Sequence, residues 1–252
     1  MRGWWSSEVQ MDRPSGILVV DKPVGMTSHD VVDRVRRVFG IRRVGPFGKL
    51  KVGHAGTLDP LASGVLLVLV GAATKKSQEL VGLPKEYEIK AELGWATDSL
   101  DADGKVIEKW RVEDERLRAI GGRKVERVLG DLRGKIVQQV PAYSAVKRGG
   151  KKLYKRARKG EQVERPRRKV EVYELVLLGL ERRKGKYPEV RLVTTVSSGT
   201  YTRSLVEEMG RRLGVPAVQT GLVRRKVGKF SLKEAVSWEK LVASEAPGQF
   251  LV

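Results

Sequence analysis

Val65-Leu66-Leu67-Val68-Leu69-Val70 is an apolar run with no polar position in it. A strand with one face in water alternates, so an unbroken run belongs to a strand covered on both faces. Just before it stands His54-Ala55-Gly56-Thr57-Leu58-Asp59-Pro60-Leu61-Ala62-Ser63-Gly64, a stretch of small and turn-forming residues around one carboxylate. Asp59 is therefore expected on a shaped loop where the chain runs into a core sheet. Loops on rigid scaffolds carry catalytic groups. An Asp-Pro turn whose carboxylate bonds only nearby backbone fits the same residues. Spacing alone leaves both readings open.

The rest of the chain supplies partners for that strand. Gly16 to Val20 reads as a strand, and Thr27 or Ser28 caps a helix bearing Val31, Val32, Val35, Val38 and Phe39, stopped by Gly40. Ala72 to Leu80 has a helical pattern. Tyr87, Ile89, Ala91 and Leu93 alternate with Glu86, Glu88, Lys90 and Glu92, which predicts a half-exposed strand. Asp98 to Gly104 is a turn cluster, and Val112 to Leu132 a charged helical stretch broken at Gly121-Gly122. Strands are expected over Lys135–Val140, Val170–Leu180 and Val190–Val196, a helix over Thr200–Leu213, and extended chain over Val223–Phe230. Ser231 and Glu234 form a capping box expected to open a last helix. Strands and helices mix without strict alternation, which predicts an α+β domain on a mixed, largely antiparallel central sheet flanked by helices and loops.

Charge points to the partner. The 252 residues carry 50 Lys and Arg against 30 Asp and Glu, a formal net charge of +20. Nucleic acid is the leading polyanion for such a chain. The excess is concentrated: Lys147, Arg148, Lys151, Lys152, Lys155, Arg156, Arg158, Lys159, Arg165, Arg167, Arg168 and Lys169 face only Glu161 and Glu164. Tyr143 and Tyr154 lie beside or within this arm, where they can stack on bases. A solvated basic face is the alternative. An apolar content of 40% supports a real core. The absence of cysteine removes disulfides and thiolate chemistry, and His29 and His54 alone do not build the usual zinc site. No apolar run approaches a membrane span and the N-terminus lacks an apolar signal core, so a cytoplasmic chain without membrane contact is expected.

Four segments resemble the motifs of the TruB family of RNA pseudouridine synthases, in the family's order. They are Gly16 to Asp30 with Lys22-Pro23, the signature His54 to Gly64, Lys85-Glu-Tyr87 through Asp101-Ala-Asp-Gly104, and Ser198-Gly199-Thr200-Tyr201-Thr-Arg203-Ser-Leu205. The resemblance implies the pseudouridine synthase fold and conversion of uridine to pseudouridine at position 55 in the T-loop of tRNA. It implies no cofactor and no metal. It makes Asp59 the catalytic residue, leaving open attack on the sugar, attack on the base, or abstraction of a sugar proton. Arg203 matches the residue that keeps this carboxylate ionised against desolvation. Tyr87 matches the aromatic that stacks on the base and is a candidate for proton transfer, Tyr201 a second pocket aromatic, and Leu222 a pocket wall. Without the motifs, these three read as core residues. His54 matches the residue that helps extrude the uridine, and Lys22 and Pro23 the buttress of the active-site loop. Pro141 to Lys147 begins an RNA-gripping thumb over about 141–169, with Tyr143, Lys147, Lys151, Lys152, Tyr154 and Arg156 as RNA contacts.

The expected organisation is an N-terminal extension over 1–15 bearing Trp4 and Trp5, then a catalytic domain over 16–252, without the C-terminal PUA domain usual in bacterial members. An insertion over 44–52 departs from the family pattern. A monomer is expected. Rival readings are a serine acyl-enzyme on Ser144-Ala-Val-Lys147, a KH-type loop at Gly45-Pro-Phe-Gly48, a tRNA folding chaperone, and a pseudouridine synthase acting on another RNA.

Overall fold

The computed structural model describes residues 14–40 and 50–252. Trp4, Trp5, the Gly45–Gly48 pattern and most of the 44–52 insertion lie outside the described residues. In chain order the strands are β1 (Gly16–Lys22), β2 (Val52–His54), β3 (Ala62–Val70), β4 (Lys85–Leu93), β5 (Trp95–Thr97), β6 (Val106–Lys109), β7 (Gly134–Gln139), β8 (Lys147–Arg148), β9 (Lys151–Lys152), β10 (Arg167–Glu181), β11 (Glu189–Val196), β12 (Ala217–Val227), β13 (Phe230–Ser231) and β14 (Val236–Ser237). The helices are α1 (Ser28–Val38), α2 (Ser77–Gly82), α3 (Glu115–Arg118), α4 (Gly122–Gly130), α5 (Leu153–Ala157), α6 (Thr202–Leu213) and α7 (Trp238–Val242).

One sheet dominates, in the order β14-β1-β3-β12-β4-β11-β10-β7, with β2 beside β3 and β13 beside β12. Only the β1–β14 and β3–β12 pairings are parallel in it; the sheet is the mixed, largely antiparallel one expected. The apolar run lies in β3, covered on both faces. Leu66, Val68 and Val70 enter one core cluster with α1, α4 and α6, while Val65, Leu67 and Leu69 enter a second with Leu80 and Phe230. Each such side chain withdrawn from water contributes about 1.5–3 kcal/mol. Strand β4 keeps its alternation: Tyr87, Ile89, Ala91 and Leu93 are buried, Glu86, Glu88 and Glu92 partly exposed, and Lys90 exposed.

Local signals hold where no long-range partner competes. Thr27 caps α1, accepting from the Asp30 N–H at 3.1 Å while the Asp30 carboxylate accepts from the Thr27 N–H at 2.9 Å. Gly214 ends α6 in the left-handed conformation, φ 79°. The Ser231–Glu234 box also forms, but it opens one 3-10 turn, Leu232–Glu234, rather than a last helix. Ala235 then turns extended and Val236 pairs with Val20 of β1, so sheet pairing overrides the helix start. The last α-helix begins later, at Trp238, capped by Ser237. The Val112–Leu132 pattern yields only the short α3 and α4, and Ala72–Leu80 a 3-10 turn running into α2.

The β3–β12 contact is unusually close at Gly64, which pairs with Arg224 and has φ 101°. A Cβ there would lie 2.3 Å from the Arg224 carbonyl oxygen. Gly64→Ala is expected to lower the unfolding free energy by at least about 2 kcal/mol, through backbone strain and overpacking together. Urea denaturation checks this.

Candidate active site

The signature loop between β2 and β3 is held from three sides. The Ser28 hydroxyl at the start of α1 donates to the Leu58 carbonyl at 3.0 Å and accepts from the Leu58 N–H at 2.8 Å. The Gly25 N–H donates to the Pro60 carbonyl at 2.8 Å. From β12, Arg224 reaches under the loop: Nε donates to Val65 O at 2.7 Å, Nη1 to Thr57 O at 3.3 Å and Nη2 to Gly56 O at 3.1 Å. Arg224 is 1% exposed. Lys22 is fully buried at the end of β1, its Nζ donating to Pro23 O and Met26 O, both at 2.7 Å. Burial pushes this lysine down to about 8, with Asp59 opposing the fall and Arg224 adding to it.

Asp59 thus stands at a cleft of about 830 Å³, lined also by Tyr87, Tyr201, Leu222, Asp101 and Arg203. Arg203, near the start of α6, meets Asp59 Oδ2 from Nη2 at 3.0 Å and Asp101 Oδ2 from Nη1 at 3.2 Å. The same two nitrogens also donate to backbone, Nη1 to Ser99 O at 2.9 Å and Nη2 to Tyr143 O at 3.2 Å. Asp101 is presented by the turn between β5 and β6, where Leu100 takes φ 69° and its carbonyl accepts from the Gln219 N–H on β12. The Ser99 hydroxyl donates to Asp101 Oδ1 at 2.6 Å. Gln138 on β7 fixes the Tyr201 backbone, donating to its carbonyl at 2.9 Å and accepting from its N–H at 2.8 Å. Burial pushes the Asp59 carboxyl above the usual aspartate value; Arg203 pulls it back, Asp101 pushes it further up and Lys22 pulls it down. The Asp59 side chain keeps 39% of its surface open to the cleft, so a base that fills the cleft strengthens the upward push.

Asp59, Tyr87, Asp101 and Tyr201, which line this cleft, all lie within a stretch that matches a known family. The profile of the TruB family pseudouridylate synthases, N terminal domain, matches residues 36–202. The chain belongs to this family. It is similar to the tRNA pseudouridine synthase B of Geobacillus kaustophilus (strain HTA426), 45% identical over 92% of this chain and 78% of the relative. The protein of the same description from Aquifex aeolicus (strain VF5) is 39% identical over 94% and 77%. Among solved structures, a chain of a Cbf5-Nop10-Gar1 complex superposes with TM-score 0.69 at 27% identity, covering 98% of this chain and 62% of that one. A chain of an H/ACA RNP bound to a substrate RNA containing 2'-deoxyuridine gives TM-score 0.65 at 25% identity, covering 95% and 56%.

In this TruB-family chain, Asp59, Tyr87, Arg203, Tyr201 and Leu222 come together in one cleft, and Tyr143 and Tyr154 join them from the 141–169 segment. Other expected residues do not. His54 sits at the end of β2 opposite Val68, outside the cleft lining, with Nδ1 buried and unpartnered. Burial first, then Arg224 and His29, lower its pKa and keep it neutral. Lys147, Lys151 and Lys152 lie exposed on the β8–β9 hairpin, and Arg156 is bound to Glu161 at 2.7 Å. The Tyr143 hydroxyl is committed to Asp98 Oδ2 at 2.9 Å. The Ser144 hydroxyl is buried without a hydrogen-bond partner, so no serine–lysine pair forms with Lys147.

Asp101, Arg224 and Gln138 are the functional residues that the sequence reading left unassigned. The crowding of Asp98, Asp101 and Asp103 was a signal for the first; nothing local marks the others.

Carbon-13 NMR titration of the Asp59 carboxyl is expected to give a midpoint above that of free aspartate, and Arg203→Gln to move it higher still. A lower or unchanged midpoint in the variant contradicts the electrostatics described.

Proposed function

We propose that this chain isomerises the uridine at position 55 in the T-loop of tRNA to pseudouridine. The observation that carries the reading is the Asp59–Arg203 ion pair facing a cleft walled by Tyr87, Tyr201 and Leu222. The reaction breaks the bond from uracil N1 to ribose C1′, turns the detached base and joins C5 to C1′; the proton lost from C5 balances the one gained at N1. Asp59 faces the reacting sugar and base, and Arg203 sets its orientation. Tyr87 and Leu222 hold the detached base within the cleft, since escape would end the reaction. Tyr87 carries the one phenol of β4 in the cleft and is the candidate for moving the late proton.

A uridine stacked within folded RNA is extruded before its base and sugar reach Asp59. Relatives named for tRNA, and a structural neighbour bound to a substrate RNA, support RNA as the partner. The 141–169 segment serves as the thumb that grips the stem-loop, and the catalytic domain over 16–252 acts as a monomer. Light scattering at the monomer mass is expected; a dimer mass contradicts that part.

Tritium release from a T-stem-loop RNA carrying C5-labelled uridine tests the activity. Native protein is expected to release tritium and Asp59→Ala to fall to background while binding the RNA within severalfold of native affinity. Release by Asp59→Ala removes the carboxylate from the chemistry. Binding without release by the native protein turns the reading into RNA binding alone.

A further inference from the structure

The arginines of the 141–169 segment and its continuation into β10 divide by partner. Arg148 pairs with Glu164 at 2.8 Å, Arg156 with Glu161 at 2.7 Å and Arg165 with Glu207 at 2.6 Å. Arg158 and Arg168 have no carboxylate within ion-pair distance among the described residues, and these two line the Asp59 cleft. Arg167 is unpaired as well but lies in a separate hollow beside Arg165, so Arg158 and Arg168 are the arginines of the segment left to meet an anion at the Asp59 cleft.

Both are braced. The Arg158 guanidinium carbon lies 5.5 Å from the Tyr154 ring centroid. Arg168 rests against the turn leading into Tyr201 and Arg203: a Cβ on Gly199 would sit 2.4 Å from Arg168 Nη1, so only glycine lets the guanidinium lie there. The cleft lining also holds Asp59, Asp98, Asp101 and Asp103 beside Lys85, Lys105, Arg203 and Arg224, with Arg203 already shared between Asp59 and Asp101.

We propose that Arg158 and Arg168 are a phosphate clamp. They hold the internucleotide phosphates flanking the extruded nucleotide while its base enters the cleft. This rests on the RNA substrate proposed above and names the groups that take its backbone. Arg156, tied to Glu161, has no part in it.

The test is the salt dependence of T-stem-loop RNA binding by the full chain. Each phosphate contact contributes about 0.7–0.9 to the slope of log affinity against log salt, so Arg158→Gln and Arg168→Gln are each expected to flatten the slope by nearly that amount. Arg156→Gln is expected to leave it unchanged. An RNA with methylphosphonate linkages on both sides of the target uridine is expected to bind native protein with the flattened slope, and to lose nothing further in the double variant. Native slopes in Arg158→Gln and Arg168→Gln overturn the clamp, as does equal flattening in Arg156→Gln. Tritium release by native protein is followed in parallel: its absence with the slopes as expected refutes the isomerase reading and leaves the clamp standing.

Discussion

The ion pair between Asp59 and Arg203 is the constraint around which the site is built. Taking charges out of water costs several kcal/mol per ion, and their attraction repays it only when every donor and acceptor is used. Arg203 offsets that cost with four partners: two carboxylates and two backbone carbonyls share its two Nη groups. Those partners come from the signature loop, the β5–β6 turn and the base of the thumb, so one side chain joins segments distant in sequence. Changes in any of them reach Asp59 through the same group.

The sheet supplies the rigidity this needs. Because β3 is buried on both faces and β12 lies parallel to it, Arg224 can pass beneath the loop with its donors spent on carbonyls. Two buried cations, Lys22 and Arg224, therefore stand behind Asp59 without pairing with it, and burial lowers the lysine. The loop is fixed by backbone contacts that leave the carboxylate to Arg203 and the substrate.

The elements legible in the sequence are those set by local pattern. The β3 run, the β4 alternation, the Thr27 cap of α1 and the end of α6 at Leu213 each appear where expected, and Asp59, Tyr87, Arg203, Tyr201 and Leu222 meet in one cleft. What escaped depends on partners far along the chain. Arg224 is an arginine in a basic run until β12 docks on β3; Gln138 is an ordinary strand polar residue until Tyr201 arrives; Asp101 needs the backbone of Leu100 held in the left-handed region by β12. The Ser231 box shows the converse, a sound helix start defeated by the pairing of Val236 with Val20. In the basic arm, composition marks charge but not direction. Only the structure separates Arg156, bound to Glu161, from Arg158 and Arg168, which face the cleft.

Arg203 presents Asp59 by the geometry of its guanidinium and not by charge alone. Arg203→Lys keeps the charge but cannot reach both carboxylates and both carbonyls. The direct measurement is its single-turnover rate of pseudouridine formation on T-stem-loop RNA, with RNA affinity and thermal unfolding measured on the same preparation. The expected result is a rate loss of about a hundredfold, as misplacement of a reacting group by roughly an ångström produces, with RNA affinity near native. A rate within a few-fold of native, in a variant that folds and binds, would contradict it.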